Sequence, residues 1–144
     1  MYDDIPQLAL SIMNPWAWLI AAGLKDIENR NQRWKLRGPF AIHAGKTVDG
    51  DAMHDLAHAV HPVSGEPWLL ELPLISEFKK IYDGADSGGI IGVGEIVDCV
   101  EESCSPWFVG RYGLVIRNPR LVPFIPVRGM QGFFDWRRNL KAAD

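Results

Sequence analysis

The sequence predicts an α+β fold, with a small mixed or closed sheet and helices on its outside. Two observations carry this. The predicted elements run strand, helix, strand, strand, two helices, then three strands. The chain of 144 residues is 47% hydrophobic, with no internal repeat, low-complexity tract or linker. That is enough to bury the core of one domain, expected over residues 1–144, and too apolar for a solvated coil.

Each element has its own reason. Leu8-Ala-Leu-Ser-Ile12 alternates apolar and small residues, as a strand does. Asn14-Pro15 follows, and Asn caps helices while Pro suits the first helical position. A helix is therefore expected over 15–22, stopped by Gly23. Trp16, Leu19, Ile20 and Gly23 share one face and Trp18 lies on another, so the two tryptophans are not expected to fill one seam. Residues 26–30 read as a short extended segment and 31–38 as a polar loop. Residues 39–44 read as a strand, with Phe40 and Ile42 facing opposite to Ala41 and His43. Residues 49–60 read as a helix on the stripe Met53, Leu56, Ala57 and Val60. Pro62, Gly65, Pro67 and Pro73 make 61–73 a loop before a helix at 74–82 and a turn cluster at 83–89. Residues 90–100 are the clearest strand, rich in β-branched side chains. Residues 114–117 and 121–127 read as two more strands, turned at Asn118-Pro119. Residues 136–140 read as a final helical turn.

Composition excludes several functions. The formal net charge of −3 disfavours a uniformly basic, salt-driven grip on long duplexes. The charge is uneven, however. Residues 25–50 carry six basic and three acidic side chains, 111–144 carry seven and two, and 51–110 carry two and eleven. If the two basic segments meet, they leave a small positive cleft for a short strand or a single nucleotide. Cys99 and Cys104 supply neither a disulfide framework nor the four ligands of a structural zinc site, and read as a reduced cytosolic pair. Asp3 and Asp4 stand where a signal peptide would be basic. The longest apolar run, 15–24, falls short of the about 20 residues that span a bilayer. The expected setting is cytoplasmic, with no membrane. Six tryptophans are unusual in so short a chain; some serve packing, and flat aromatics also stack on bases.

Five clusters could carry chemistry. In Gly23-Leu-Lys25-Asp-Ile-Glu28-Asn-Arg30, an extended backbone puts Asp26, Glu28 and Arg30 on one side. Lys25 beside a carboxylate suits acid–base work or a phosphate clamp; the plainer reading is a solvated edge with surface ion pairs. His43, Gly45 and Lys46 stand where a strand ends, with Gly45 admitting a ligand and Lys46 reaching an anion, or else they are ordinary strand-end residues. His54, His58 and His61 include two imidazoles one helical turn apart, but His-Asp-Leu-Ala-His lacks the glutamate base of a zinc protease and reads as a solvent-facing surface. Glu95 shares a strand face with Ile91, Val93 and Val97, pointing either inward with a basic partner or outward. The loop Arg128-Gly-Met-Gln131-Gly could present Arg128 and Gln131 to a ligand, or simply turn the chain toward Phe133, Phe134 and Trp136. No phosphate-cradling glycine loop and no catalytic Ser-His-Asp order is present.

Taken together, Leu10-Ser-Ile-x-x-Pro15-Trp16-Ala, Gly23-x-Lys25-x-x-Glu28-x-Arg30 and Arg37-Gly-Pro-Phe-Ala-Ile-His-Ala-Gly-Lys46 resemble the ASCH domain. The second block is similar to that family's hallmark G-x-K-x-x-E-x-R. Weaker similarity runs through Ile91-Gly-x-Gly-Glu95-Ile and Arg128-Gly-x-Gln131-Gly. The resemblance implies a PUA-like small β-barrel with flanking α-helices and a cleft beside the hallmark, used for RNA, a nucleotide or a modified nucleoside. Lys25, Glu28 and Arg30 would line it. Trp16, His43, Lys46, Arg128 and Gln131 complete the expected ligand-binding set. No cofactor or metal is expected.

The leading expectation is an RNA- or nucleoside-binding domain. The alternative is an enzyme in the same cleft, with Lys25 and Glu28 as its catalytic residues. One form is a metal-independent ribonuclease with Glu28 or His43 as base. The other is a nucleoside hydrolase in which Lys25 and Glu28 activate water. One branch of the family deacetylates acetylated cytidine with a threonine at the position of Glu28, and this chain has no hydroxyl there. A third reading is a protein-interaction module with a vestigial pocket, marked by Lys25 buried against a filled core.

Overall fold

A computed structural model of the chain describes residues 2–140. Six strands, β1 (Leu8–Asn14), β2 (Ile27–Arg30), β3 (Gly38–Val48), β4 (Gly89–Val100), β5 (Tyr112–Pro126) and β6 (Phe133–Asp135), build one sheet. Their order is β2-β5-β4-β3-β1-β6. β1 runs parallel to β3, and the other neighbours are antiparallel. Helices α1 (Trp16–Ala21), α2 (Gly50–Ala57) and α3 (Leu74–Tyr82) complete an α+β, mixed-sheet architecture. The expected barrel closure is a different matter: β2 and β6 form two edges, and among the described residues no ladder joins them.

Alternation along the strands feeds two cores. Leu10, Ile12, Phe40, Ile42 and Ile96 belong to one that also holds Trp18, Leu56 and Phe78 of the three helices. Ala9, Ala41, Val93 and Ile125 belong to the other, with Phe134 and Trp136. The opposed facing read for 39–44 is thus the division between the cores. Gly92 lets α1 lie on β4, since a Cβ there would stand 2.6 Å from the Ala21 Cβ and 2.7 Å from the Arg120 carbonyl.

Several expectations change. β3 runs on to Val48, so His43, Gly45 and Lys46 lie within it rather than at a strand end. Residues 114–127 are one strand. The ladder pairs Val93 with Arg120 and Glu95 with Arg117, so β5 advances one residue more than β4. Asn118, at φ +54°, absorbs the extra residue as a bulge, because Asn tolerates the left-handed region. α1 begins at Trp16, and the Asn14 side chain still accepts the Trp18 amide at 3.1 Å. Trp18 is 2% exposed and packs on Phe78, whereas Trp16 is the half-buried one. α1 is covered by the sheet and by α3, so its face opposite the sheet is core too. α2 stops at Ala57, because Ala59 turns at φ +58°; Ala57 is exposed and Val60 bridges to Pro67 instead. β6 lies in the stretch read only as an aromatic cluster, and a 3-10 turn at Trp136–Asn139 stands where the final helical turn was expected.

Candidate functional site

The end of α1 builds the centre of the site. Gly23, at φ +84°, turns the chain, and the amides of Leu24 and Lys25 both donate to the Leu19 carbonyl. Lys25 is thereby brought inward, 3% exposed, with Nζ 5.6 Å from the centre of the Trp16 ring. Its ammonium donates to the Ile27 carbonyl and lies 3.6 Å from Glu28 Oε1. Arg30 donates to Glu28 Oε2 at 2.9 Å and to the Ser11 carbonyl at 3.3 Å. One carboxylate therefore serves two cations. Burial pushes the Lys25 pKa below the usual lysine value, and Glu28 opposes that shift. Asp26, expected on the same side, is exposed and accepts from Ser105 Oγ at 2.6 Å. Trp16 is anchored by its Nε1, which donates to Asp49 Oδ2 at 3.0 Å, while Asp49 Oδ1 caps α2 through the Ala52 amide.

Two adjoining clefts meet here. One, of about 620 Å³, is lined by Trp16, Lys25, Glu28 and Arg30 among others. The other, of about 1460 Å³, is lined by Arg30, His43, Lys46, Arg128 and Gln131. Arg30, Ser11 and Met13 line both. All eight residues expected from sequence as ligand contacts thus lie along one continuous surface. The two basic segments meet in the larger cleft, and none of its described lining residues is acidic.

The other candidates fall elsewhere. His54 and His58 are exposed, with rings stacked at 4.1 Å, while His61 is buried on Trp107 and its Nδ1 accepts the Val63 and Ser64 amides. Among the described residues no group of three or more His, Cys, Asp or Glu could hold a metal. Glu95 is half-buried, pairs in the ladder with Arg117 and Pro39, and lines neither cleft. Cys99 is buried and Cys104 exposed. No helix among the described residues is long and apolar enough to cross a membrane.

Ser11 escaped the sequence reading. It stands opposite His43 in the parallel β1–β3 ladder, and its Oγ is 3.0 Å from His43 Nδ1. His43 Nε2 is 2.7 Å from the Val127 carbonyl. A carbonyl only accepts, so Nε2 carries the hydrogen and Nδ1 accepts from the serine hydroxyl. Burial lowers the His43 pKa, and the bond to Val127 offsets this only in part. Burial lowers that of His61 as well. A pH dependence follows. Below about pH 6.5 the unfolded chain binds protons that these folded imidazoles refuse, so stability falls as pH drops from there toward their folded pKa. Each contributes a slope of at most about 1.4 kcal/mol per pH unit. Urea titrations between pH 8 and pH 5 should show the fall, and His43→Gln should flatten it. Equal slopes in the two proteins would contradict the assignment.

The fold and site define an α+β domain with a buried lysine–carboxylate–arginine cluster between helix and sheet, beside a cationic cleft. The chain belongs to the ASCH domain family, whose model matches residues 10–111. The matched span includes the run from Leu10 to Lys46 and the Ile91–Ile96 stretch; the loop bearing Arg128 and Gln131 lies beyond it. A search among curated proteins finds no match.

Proposed function

We propose that this ASCH domain binds single-stranded RNA or a modified nucleoside across the two clefts. PUA-like domains commonly take such ligands, and the arrangement suits them. Trp16, anchored to Asp49, offers a pre-set ring for stacking a base, and Glu28 can accept from a base edge. Lys46 and Arg128 supply phosphate contacts, and Gln131 a neutral hydrogen-bonding group. The observation that carries the reading is Arg30, held by Glu28 and the Ser11 carbonyl, lining both clefts at once. Lys25 is buried, yet it borders an open cleft rather than a filled core, which favours ligand binding over a vestigial pocket.

The test is fluorescence anisotropy with a labelled oligoribonucleotide, alongside a panel of modified nucleosides, at low salt. Lys25→Ala should weaken binding at least tenfold. Wild-type protein that binds no member of either panel would overturn the proposal.

One observation supports the enzymatic reading. Burial lowers the Lys25 pKa against the opposing pull of Glu28 at 3.6 Å, so its ammonium gives up a proton more readily and can act with Glu28 as an acid–base pair. In that case Lys25→Ala and Glu28→Ala each abolish turnover, and cleavage that survives both comes from a contaminating nuclease.

A further inference from the structure

We propose that Ser11 and His43 form a hydroxyl–imidazole dyad that hydrolyses carboxylic esters bearing an anionic group, through an acyl-Ser11 intermediate. Three independent features converge on it.

The first is alignment. The parallel β1–β3 register sets the two residues side by side. The Val127 carbonyl fixes the ring with its Nδ1 lone pair on the serine hydroxyl, the arrangement a nucleophile and its base require. A backbone carbonyl stands where other such sites use a carboxylate.

The second is room. Ser11 is half-buried and lines both clefts. A Cβ at Gly129 would stand 2.6 Å from His43 Cε1 and 3.2 Å from Ser11 Oγ, and one at Gly45 would stand 3.4 Å from Ser11 Oγ. Two glycines thus keep side chains off the hydroxyl.

The third is charge. Lys46 and Arg128 line the cleft with no described acidic residue in its lining, and Arg30 beside them shares its charge with Glu28, so an anionic substrate is favoured. Arg30 Nε is buried and has no hydrogen-bond partner.

The chemistry limits the substrate. Without a carboxylate at Nε2, the imidazolium gains less stabilisation than in a full triad. The burial that weakens the imidazole as a base has the same effect. A good leaving group is then needed, which selects esters over amides. Ser11 Oγ attacks the acyl carbon as its proton passes to His43 Nδ1. The tetrahedral intermediate expels the alcohol oxygen, which takes that proton. Water then attacks the acyl-serine and gives a proton to Nδ1. The carboxylic acid leaves, and the proton returns to Oγ. Ester and water become acid and alcohol.

None of this depends on RNA binding, and its test needs no nucleic acid. The full chain is treated with a fluorophosphonate, in which a serine oxygen displaces fluoride, and the adduct is mapped by mass spectrometry. A single adduct on Ser11, slowed about 100-fold by His43→Gln, is the expected result. An unmodified Ser11, or adducts confined to other residues, would overturn the proposal, and the wild-type map decides even if the variant fails to fold. Phenyl acetate and 4-acetoxybenzenesulfonate are then compared, each corrected for its own reaction with hydroxide. The anionic ester should turn over at least tenfold faster, and Ser11→Ala should abolish both reactions. Equal corrected rates would remove the anionic group from the assignment.

Discussion

Glu28→Ala is expected to cost the fold about 3–5 kcal/mol, seen as a lower urea midpoint at unchanged slope. Glu28 is 8% exposed and answers Lys25 at 3.6 Å and Arg30 at 2.9 Å. The size of the loss comes from Lys25. Arg30 is 24% exposed along its side chain and can turn toward water, whereas Lys25 is 3% exposed and would keep only the Ile27 carbonyl. Removing the carboxylate strands an ammonium in the interior. Lys25→Met should behave oppositely. It deletes the buried charge, leaves Glu28 paired with Arg30 and fills a similar volume, so stability should stay within about 1.5 kcal/mol of wild type or rise. The double variant should then recover at least about 2 kcal/mol of the loss in Glu28→Ala. If Glu28→Ala and the double variant unfold at the same urea concentration, the stranded ammonium is not the cause.

What local chemistry decides was legible before any coordinates. Gly23 stops α1, the alternation from Phe40 to His43 divides two cores, and α3 spans the stretch left between the proline-rich loop and the turn cluster. What tertiary contacts decide was not legible. Asn118-Pro119 suits a hairpin turn and a bulge equally, and only the pairing of both halves of β5 with β4 chooses the bulge. Helical spacing says that Trp16 and Trp18 face apart. It does not say that α3 covers the Trp18 side through Phe78. β6 has three residues, too few for a period of two to register, and exists because β1 offered it an edge.

The candidate site divides the same way. Lys25, Glu28 and Arg30 were readable because their charges cluster within six residues and match the family hallmark, whereas the burial of Lys25 and Glu28 was not. That Lys46 and Arg128 share a cleft with Arg30 depends on how β3 and the loop after β5 meet, which no local pattern carries. Ser11 is one small residue in an alternating strand, and its relation to His43 exists only in the register of the parallel pair.

Lys46→Ala with Arg128→Ala should change binding far more than folding. Both side chains are exposed, so stability should move by no more than about 0.5 kcal/mol per site. The Arg128 loop is held through its backbone, since Asn139 Nδ2 donates to the Arg128 carbonyl at 2.9 Å, and that bond survives the substitution. If each cation holds one phosphate, the logarithm of affinity for a single strand falls with the logarithm of salt by about 0.7 per contact. Lys46 and Arg128 together give a slope of about −1.4, and the double variant should retain little of it, because Arg30 is already paired with Glu28. At low salt the two lost contacts, at about 1.5 kcal/mol each, weaken binding by about two orders of magnitude. A nucleoside without phosphate should bind both proteins alike, because the proposed base site is the Trp16 cleft, which neither substitution touches. An oligonucleotide slope that stays the same in the double variant would take the phosphates away from this cleft and leave the base pocket alone to account for binding.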